Sequence, residues 1–169
     1  MTISEIKNEA NRVKKYYKID AIPVNLMKIL DVENIKLEIT DFAEYEKNVG
    51  VPISGMLYIN GDNKIIMASV KDNKQRRNFT TAHELGHYFL HGGREETDKI
   101  FVSFRGDSNP RETEANRFAA ELLLPDDKVE EEYKLAMFPT ASYFAEKFDV
   151  SKQAMTIKLE QMGLKYIDL

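Results

Sequence analysis

The three histidines of this chain fall within nine residues, in the run His83-Glu84-Leu85-Gly86-His87-Tyr88-Phe89-Leu90-His91. On a helix, a four-residue step rises about 6 Å and returns to the same face, so His83 and His87 can converge on one metal ion. Glu84 then stands beside the ion, where a carboxylate can take a proton from water. Two histidines leave such a site one ligand short, because a catalytic zinc centre takes three protein ligands and a water. His91 continues the stripe, but on a continuous helix it lies about 12 Å from His83, too far to share the ion. It reads as a cation near the helix C-terminus.

A third ligand has to come from another segment, and Asn109-Pro110-Arg111-Glu112-Thr113-Glu114-Ala115-Asn116 offers carboxylates. Asn109 is suited to the N-cap and Pro110 to the first helical position, so Glu112 reads as a capping carboxylate reaching back to the Asn109 amide. Glu114 has no such local role. It shares a stripe with Glu121 beside Phe118 and Leu122, and a carboxylate bordering a buried face needs a partner. A metal is one such partner; a salt bridge to Arg111 or Arg117 is the other. Gly86 costs its helix about 1 kcal/mol relative to alanine, which a close backbone approach by a crossing helix would explain.

The elements that must hold these groups are legible in outline. Thr2-Ile3-Ser4-Glu5 reads as a capping box opening an amphipathic helix. Pro23 suits the first position of a second helix ending near Asp31. Ile35, Leu37 and Ile39 alternate with polar residues as a half-buried strand. Residues 56–59 and 64–67 flank Asn60-Gly61-Asp62-Asn63 and predict a hairpin. The histidine helix is expected from near Asn78 to Gly92-Gly93. Further helices are expected near 110–124, 126–137, 140–148 and 151–162. A helix, then a small antiparallel sheet, then helices is an α+β fold.

With 169 residues, 43% of them hydrophobic, the chain suits one globular domain with at most a small appendage. We expect a core over 1–138 and a helical, helix-turn-helix-like extension over 139–169 packed on it. The net charge of −4 gives no basic field for nucleic acid or anionic membrane. No cysteine is present, which excludes thiolate ligands, disulfides and cysteine nucleophiles. The N-terminal run is charged and helical in period without an apolar signal core, and no window reaches a membrane span, so a cytoplasmic location is expected.

The run Arg77-Asn78-Phe79-Thr80-Thr81-Ala82-HELGHYFLH, followed by EANRFAAELLLP over 114–125, resembles the ImmA/IrrE family of metallopeptidases. The resemblance is strongest over about residues 53–125. It implies a compact zincin fold with a zinc site, other divalent ions such as manganese being compatible. Carried over, His83 and His87 are ligands, Glu84 is the catalytic carboxylate and Glu114 is the third ligand. Leu124 stands where the family usually has methionine, a conservative departure. The resemblance further implies a protein substrate, a helix-turn-helix repressor cut at one site to derepress a mobile element or stress response. Tyr133, Tyr143 and Arg117 are candidates for a second oxyanion donor, and the strand at 55–59 reads either as an edge that pairs with substrate or as an interior strand.

Residues 141–163 resemble a helix-turn-helix, with Ser151 opening the second helix. Lys147, Lys152, Lys158 and Lys165 are balanced by Glu146, Asp149, Glu160 and Asp168, so direct DNA binding is not expected. Phe144, Phe148 and Met155 read as packing residues or as a protein dock. Two alternatives stand beside a peptidase. One is a metal-containing anti-repressor, or toxin–antitoxin-like binding module, that sequesters without cutting. The other is a DNA-binding regulator. Glu84 favours cleavage, since a pure binding module has no chemical need of it.

Overall fold

The computed structural model describes residues 1–95 and 97–168. Thr2 and Glu5 form the expected capping box, opening α1 (Ile3–Tyr16) with Ile6, Ala10 and Val13 buried. Helix α2 spans Met27–Glu33 rather than starting at Pro23; the Asn25 side chain accepts from the Met27 amide, so the first turn is held there. Strand β1 (Ile35–Thr40) leads into a short helix, α3 (Ala43–Val49), which the sequence pattern did not announce. The hairpin forms as expected, with β2 (Ile53–Asn60) and β3 (Asn63–Ser69) joined at Gly61, whose φ of +57° suits glycine.

Helix α4 (Lys74–Leu90) carries the histidines and starts a turn earlier than expected, because Asn73 caps it by accepting from the Arg76 amide at 2.9 Å. Strand β4 (Asp98–Phe104) follows, again unannounced by sequence. Helices α5 (Pro110–Leu123), α6 (Asp126–Leu135), α7 (Ala141–Phe148) and α8 (Lys152–Gln161) complete the chain close to their expected bounds.

The sheet order is β1-β3-β2-β4. It is mixed rather than wholly antiparallel: β1 runs parallel to β3, since the chain crosses through α3 before returning as β2. Strand β2 pairs with β3 on one side and β4 on the other, so the interior reading of residues 55–59 is the observed one and β4 lies at the edge.

Leu57, Ile59 and Ile66 face α4, where they meet Leu85 and Tyr88 in the main apolar cluster. Phe42, Ile53 and Met56 form a smaller cluster with Met67, Val102 and Phe104. Phe144, Phe148, Met155 and Leu159 belong to the main cluster and are fully buried, so they pack and offer no dock. At the join, the Lys158 ammonium lies 3.1 Å from Glu121 of α5, with both side chains almost wholly buried. No helix among the described residues is long and apolar enough to cross a membrane.

Candidate metal centre

Helix α4 presents His83 and His87 on one face, their ring centroids 4.9 Å apart and their Nε2 atoms 3.1 Å apart. The carboxylate that meets them is Glu112: Oε2 lies 3.0 Å from His83 Nε2 and Oε1 lies 2.9 Å from His87 Nε2. All three side chains are buried, and their ligand atoms fall within 4.8 Å of one another. Two imidazole nitrogens and a carboxylate turned to a common point fit the donor set of a catalytic zinc site. His83 Nδ1 lies 2.9 Å from Asn116 Oδ1, an acceptor, so Nδ1 carries the proton and the Nε2 lone pair faces the cluster. The His87 ring stacks on Phe101 with centroids 5.2 Å apart.

Electrostatics match this geometry. Burial alone would raise the Glu112 carboxyl, but hydrogen bonds from His83 and His87 outweigh it and hold the group at about 2. Burial lowers His83, yet the Glu112 hydrogen bond and the nearby Glu84 charge leave it above the usual imidazole range.

Glu84 is fully buried, and neither carboxylate oxygen has a hydrogen bond of good geometry among the described residues, the Ser103 hydroxyl being the nearby donor that opposes the effect of burial. Burial pushes its carboxyl upward. Its room is made by Gly55 in β2: a Cβ there would collide with Thr80 Cγ2 and stand 2.8 Å from Glu84 Oε1. A lone glycine within an apolar strand was the available sequence signal for this close approach.

The expected third ligand is not at the histidine pair. Glu114 Oε2 instead lies 2.9 Å from His91 Nε2, and its other oxygen accepts from the Met1 ammonium. The reason is the helix crossing. Gly86 of α4 touches Ala115 of α5, and Glu112 precedes Ala115 by three residues on the same face, whereas Glu114 is turned about 100° aside. The capping role that set Glu112 aside is filled otherwise: the Asn109 amide donates to Asp107 Oδ1, leaving the Glu112 carboxylate free to point inward. The stripe Glu112, Ala115, Ala119, Leu122 was the signal that could have found it.

His91 is not the expected cation. It caps the C-terminus of α4 with its side chain only 5% exposed, and burial holds its pKa below the usual value. None of the three expected oxyanion donors lines the cavity beside His83. Tyr133 donates to the Lys165 carbonyl, Arg117 pairs with Glu121, and Tyr143 packs edge-on against Phe144. That cavity, of 410 Å³, is bordered by Phe79, Phe104, Arg105, Asn116 and Ile157 as well as His83 and Glu112. Ser103 of β4 also reaches the centre, with Oγ 3.1 Å from His83 Nε2, and had no signal in the sequence.

Comparison with known proteins identifies the family. The IrrE N-terminal-like domain family of peptidases matches residues 33–160. Metallopeptidase ImmA of Bacillus subtilis is 28% identical over 139 residues, covering 82% of this chain and 77% of its own length. Uncharacterized immunity region protein 2 of Bacillus phage phi105 is 33% identical over 125 residues, covering 72% of this chain and 69% of its own. The family match spans most of the chain and encloses His83, His87 and Glu112, so the chain belongs to the IrrE N-terminal-like peptidases and is a metallo-endopeptidase.

Proposed function

We propose that the chain is a zinc-dependent endopeptidase that makes site-specific cuts in a regulatory protein, a helix-turn-helix repressor in the cytoplasm. The observation that carries the chemistry is the convergence of His83, His87 and Glu112 beside a buried, unpartnered Glu84. Two imidazoles and one carboxylate favour zinc over manganese. When bound, the ion supplies positive charge that acidifies water and polarises the peptide carbonyl.

The chain's own groups do the rest. Glu84 takes the proton from the attacking water and delivers it to the leaving amine nitrogen. Its burial suits that task, because a carboxyl raised above its ordinary range is a stronger proton acceptor than an exposed one. An extended peptide is proposed to pair with β4, the sheet edge that carries Ser103 to the centre.

The N-cap and first turns of α8 contribute Ser151, Gln153, Ala154 and Ile157 to the cavity wall, and Phe104 at the end of β4 contributes as well. The segment that resembles a recognition helix is thus better used facing substrate than facing DNA. We read 139–169 accordingly, as an extension that completes the cleft. A cleft between a strand edge and a helix suits one exposed segment of a folded partner, and a relative named for a phage immunity region fits regulation better than digestion.

The test is incubation of zinc-loaded protein with a helix-turn-helix repressor from a neighbouring gene and, separately, with casein. Cleavage of the repressor alone, abolished by Glu84→Gln, is expected. General casein degradation would point to an unselective peptidase, and a bound but uncut repressor to a sequestering module.

A further inference from the structure

We propose that His91 and Glu114 form a hydrogen-bond chain that fixes the tautomer of His87 and so presents its Nε2 lone pair to the metal. The proposal rests on the ligand set His83, His87 and Glu112 given above. It gives a positioning role to two residues that lie outside that set.

The argument runs from donor and acceptor chemistry. A carboxylate can only accept, so the 2.9 Å contact between Glu114 Oε2 and His91 Nε2 requires the proton on His91 Nε2. A neutral imidazole with its proton there has its lone pair on Nδ1. His91 Nδ1 lies 2.9 Å from His87 Nδ1, which must therefore donate. With its proton on Nδ1, His87 turns Nε2 to the cluster: that atom, 2.9 Å from Glu112 Oε1 and 3.1 Å from His83 Nε2, donates to Glu112 when protonated and offers its lone pair to a metal when it is not. One carboxylate thus sets two tautomers in series.

Local structure holds the chain in place. His91 is the C-cap residue of α4, four residues after His87 and on the same helix face, with the two rings tilted and their centroids 5.0 Å apart. The backbone then turns back at Gly92, with φ +80°, and at Gly93, where a Cβ would stand 2.8 Å from Tyr88 Cα. A side chain there would push the helix end away and open the His87–His91 contact. Helix α5 serves both ligands: Asn116 orients His83 directly, Glu114 orients His87 through His91, and Glu112 between them supplies the carboxylate. Partners of this kind characteristically change metal affinity by about 10- to 100-fold when removed.

The experiment measures zinc affinity by chelator competition, with the His87 tautomer read by long-range 15N–1H correlation in metal-free protein above the imidazole titration range. Wild type should show the His87 proton on Nδ1. His91→Phe, which offers no acceptor, should bind zinc about 10- to 100-fold more weakly and show mixed tautomers. His91→Gln restores a carbonyl acceptor, so it should recover most of the affinity, which a merely space-filling role would not predict. Glu114→Leu alters a more accessible position and serves if His91→Phe does not fold; it should weaken zinc binding in the same direction. Wild-type affinity in both Glu114→Leu and a folded His91→Phe, or a His87 Nδ1 that carries no proton in metal-free wild type, would overturn the proposal. Glu112→Ala separates the two readings. If it binds zinc like wild type, the ligand set is wrong; if it loses zinc while Glu114→Leu does not, the relay alone fails.

Discussion

Gly86 lies against Ala115 so closely that a Cβ on the glycine would stand 2.9 Å from the alanine Cα and 3.1 Å from its carbonyl oxygen. This contact between α4 and α5 sets the rotation of one helix against the other, and the rotation selects which glutamate meets the histidines. A glycine that is costly within a helix is therefore part of the metal centre, although it carries no ligand.

Gly86→Ala should be net destabilising. The intrinsic helix gain is about 1 kcal/mol, while forcing a methyl onto fixed backbone costs about 1–3 kcal/mol. Chemical denaturation of metal-free protein should show the loss, and zinc affinity should fall with it as Glu112 is displaced. Unchanged stability and affinity would mean that the crossing has slack the geometry does not suggest.

Glu112→Ala should bring metal content close to background, whereas Glu114→Ala should keep stoichiometric zinc when the metal is in excess and lose it sooner to a chelator. Elemental analysis of both variants, purified alike, checks the order. The opposite order would restore Glu114 to the ligand set.

Glu84→Gln should retain metal and fold but lose cleavage, since the amide cannot take the proton. It also has a pH signature in the metal-free protein. The folded-state pKa of Glu84 is raised above its ordinary 4.5, so its contribution to stability is fully present below that pH and is lost as pH rises through the folded value. The stability difference should therefore shift in favour of Glu84→Gln as pH rises from about 4.5 toward neutrality. Parallel unfolding curves across that range would show that Glu84 is not held in a raised state.

Lys158→Met removes the α8 ammonium from both Glu121 and Asp126 but leaves Arg117 on Glu121, so it should destabilise by about 1–3 kcal/mol, less than an uncompensated buried charge would cost. Adding Glu121→Gln should not recover the loss, because Arg117 still neutralises Glu121 and would itself lose a partner. Thermal unfolding of the single and double variants tests this; recovery in the double variant would show that Arg117 does not compensate Glu121.

Local sequence determined much of this protein. The spacing of His83 and His87, the place of Glu84, the caps at Thr2 and Asn109 and the hairpin at Gly61 all depend on contacts within about one helical turn or one tight turn, where residue type and period suffice. The tertiary structure decided the rest. Strand β4 takes its place by pairing with β2, residues far from it in sequence, so neither its edge position nor the reach of Ser103 toward His83 could be read from residues 98–104 alone. Glu112 and Glu114 are two residues apart on one helix, and either could have faced the histidines. The contact of Ala115 with Gly86 chose Glu112, and the same rotation turned Glu114 toward His91. Sequence periodicity defines the stripes on a helix, but which stripe faces a partner is set by how two distant backbones pack.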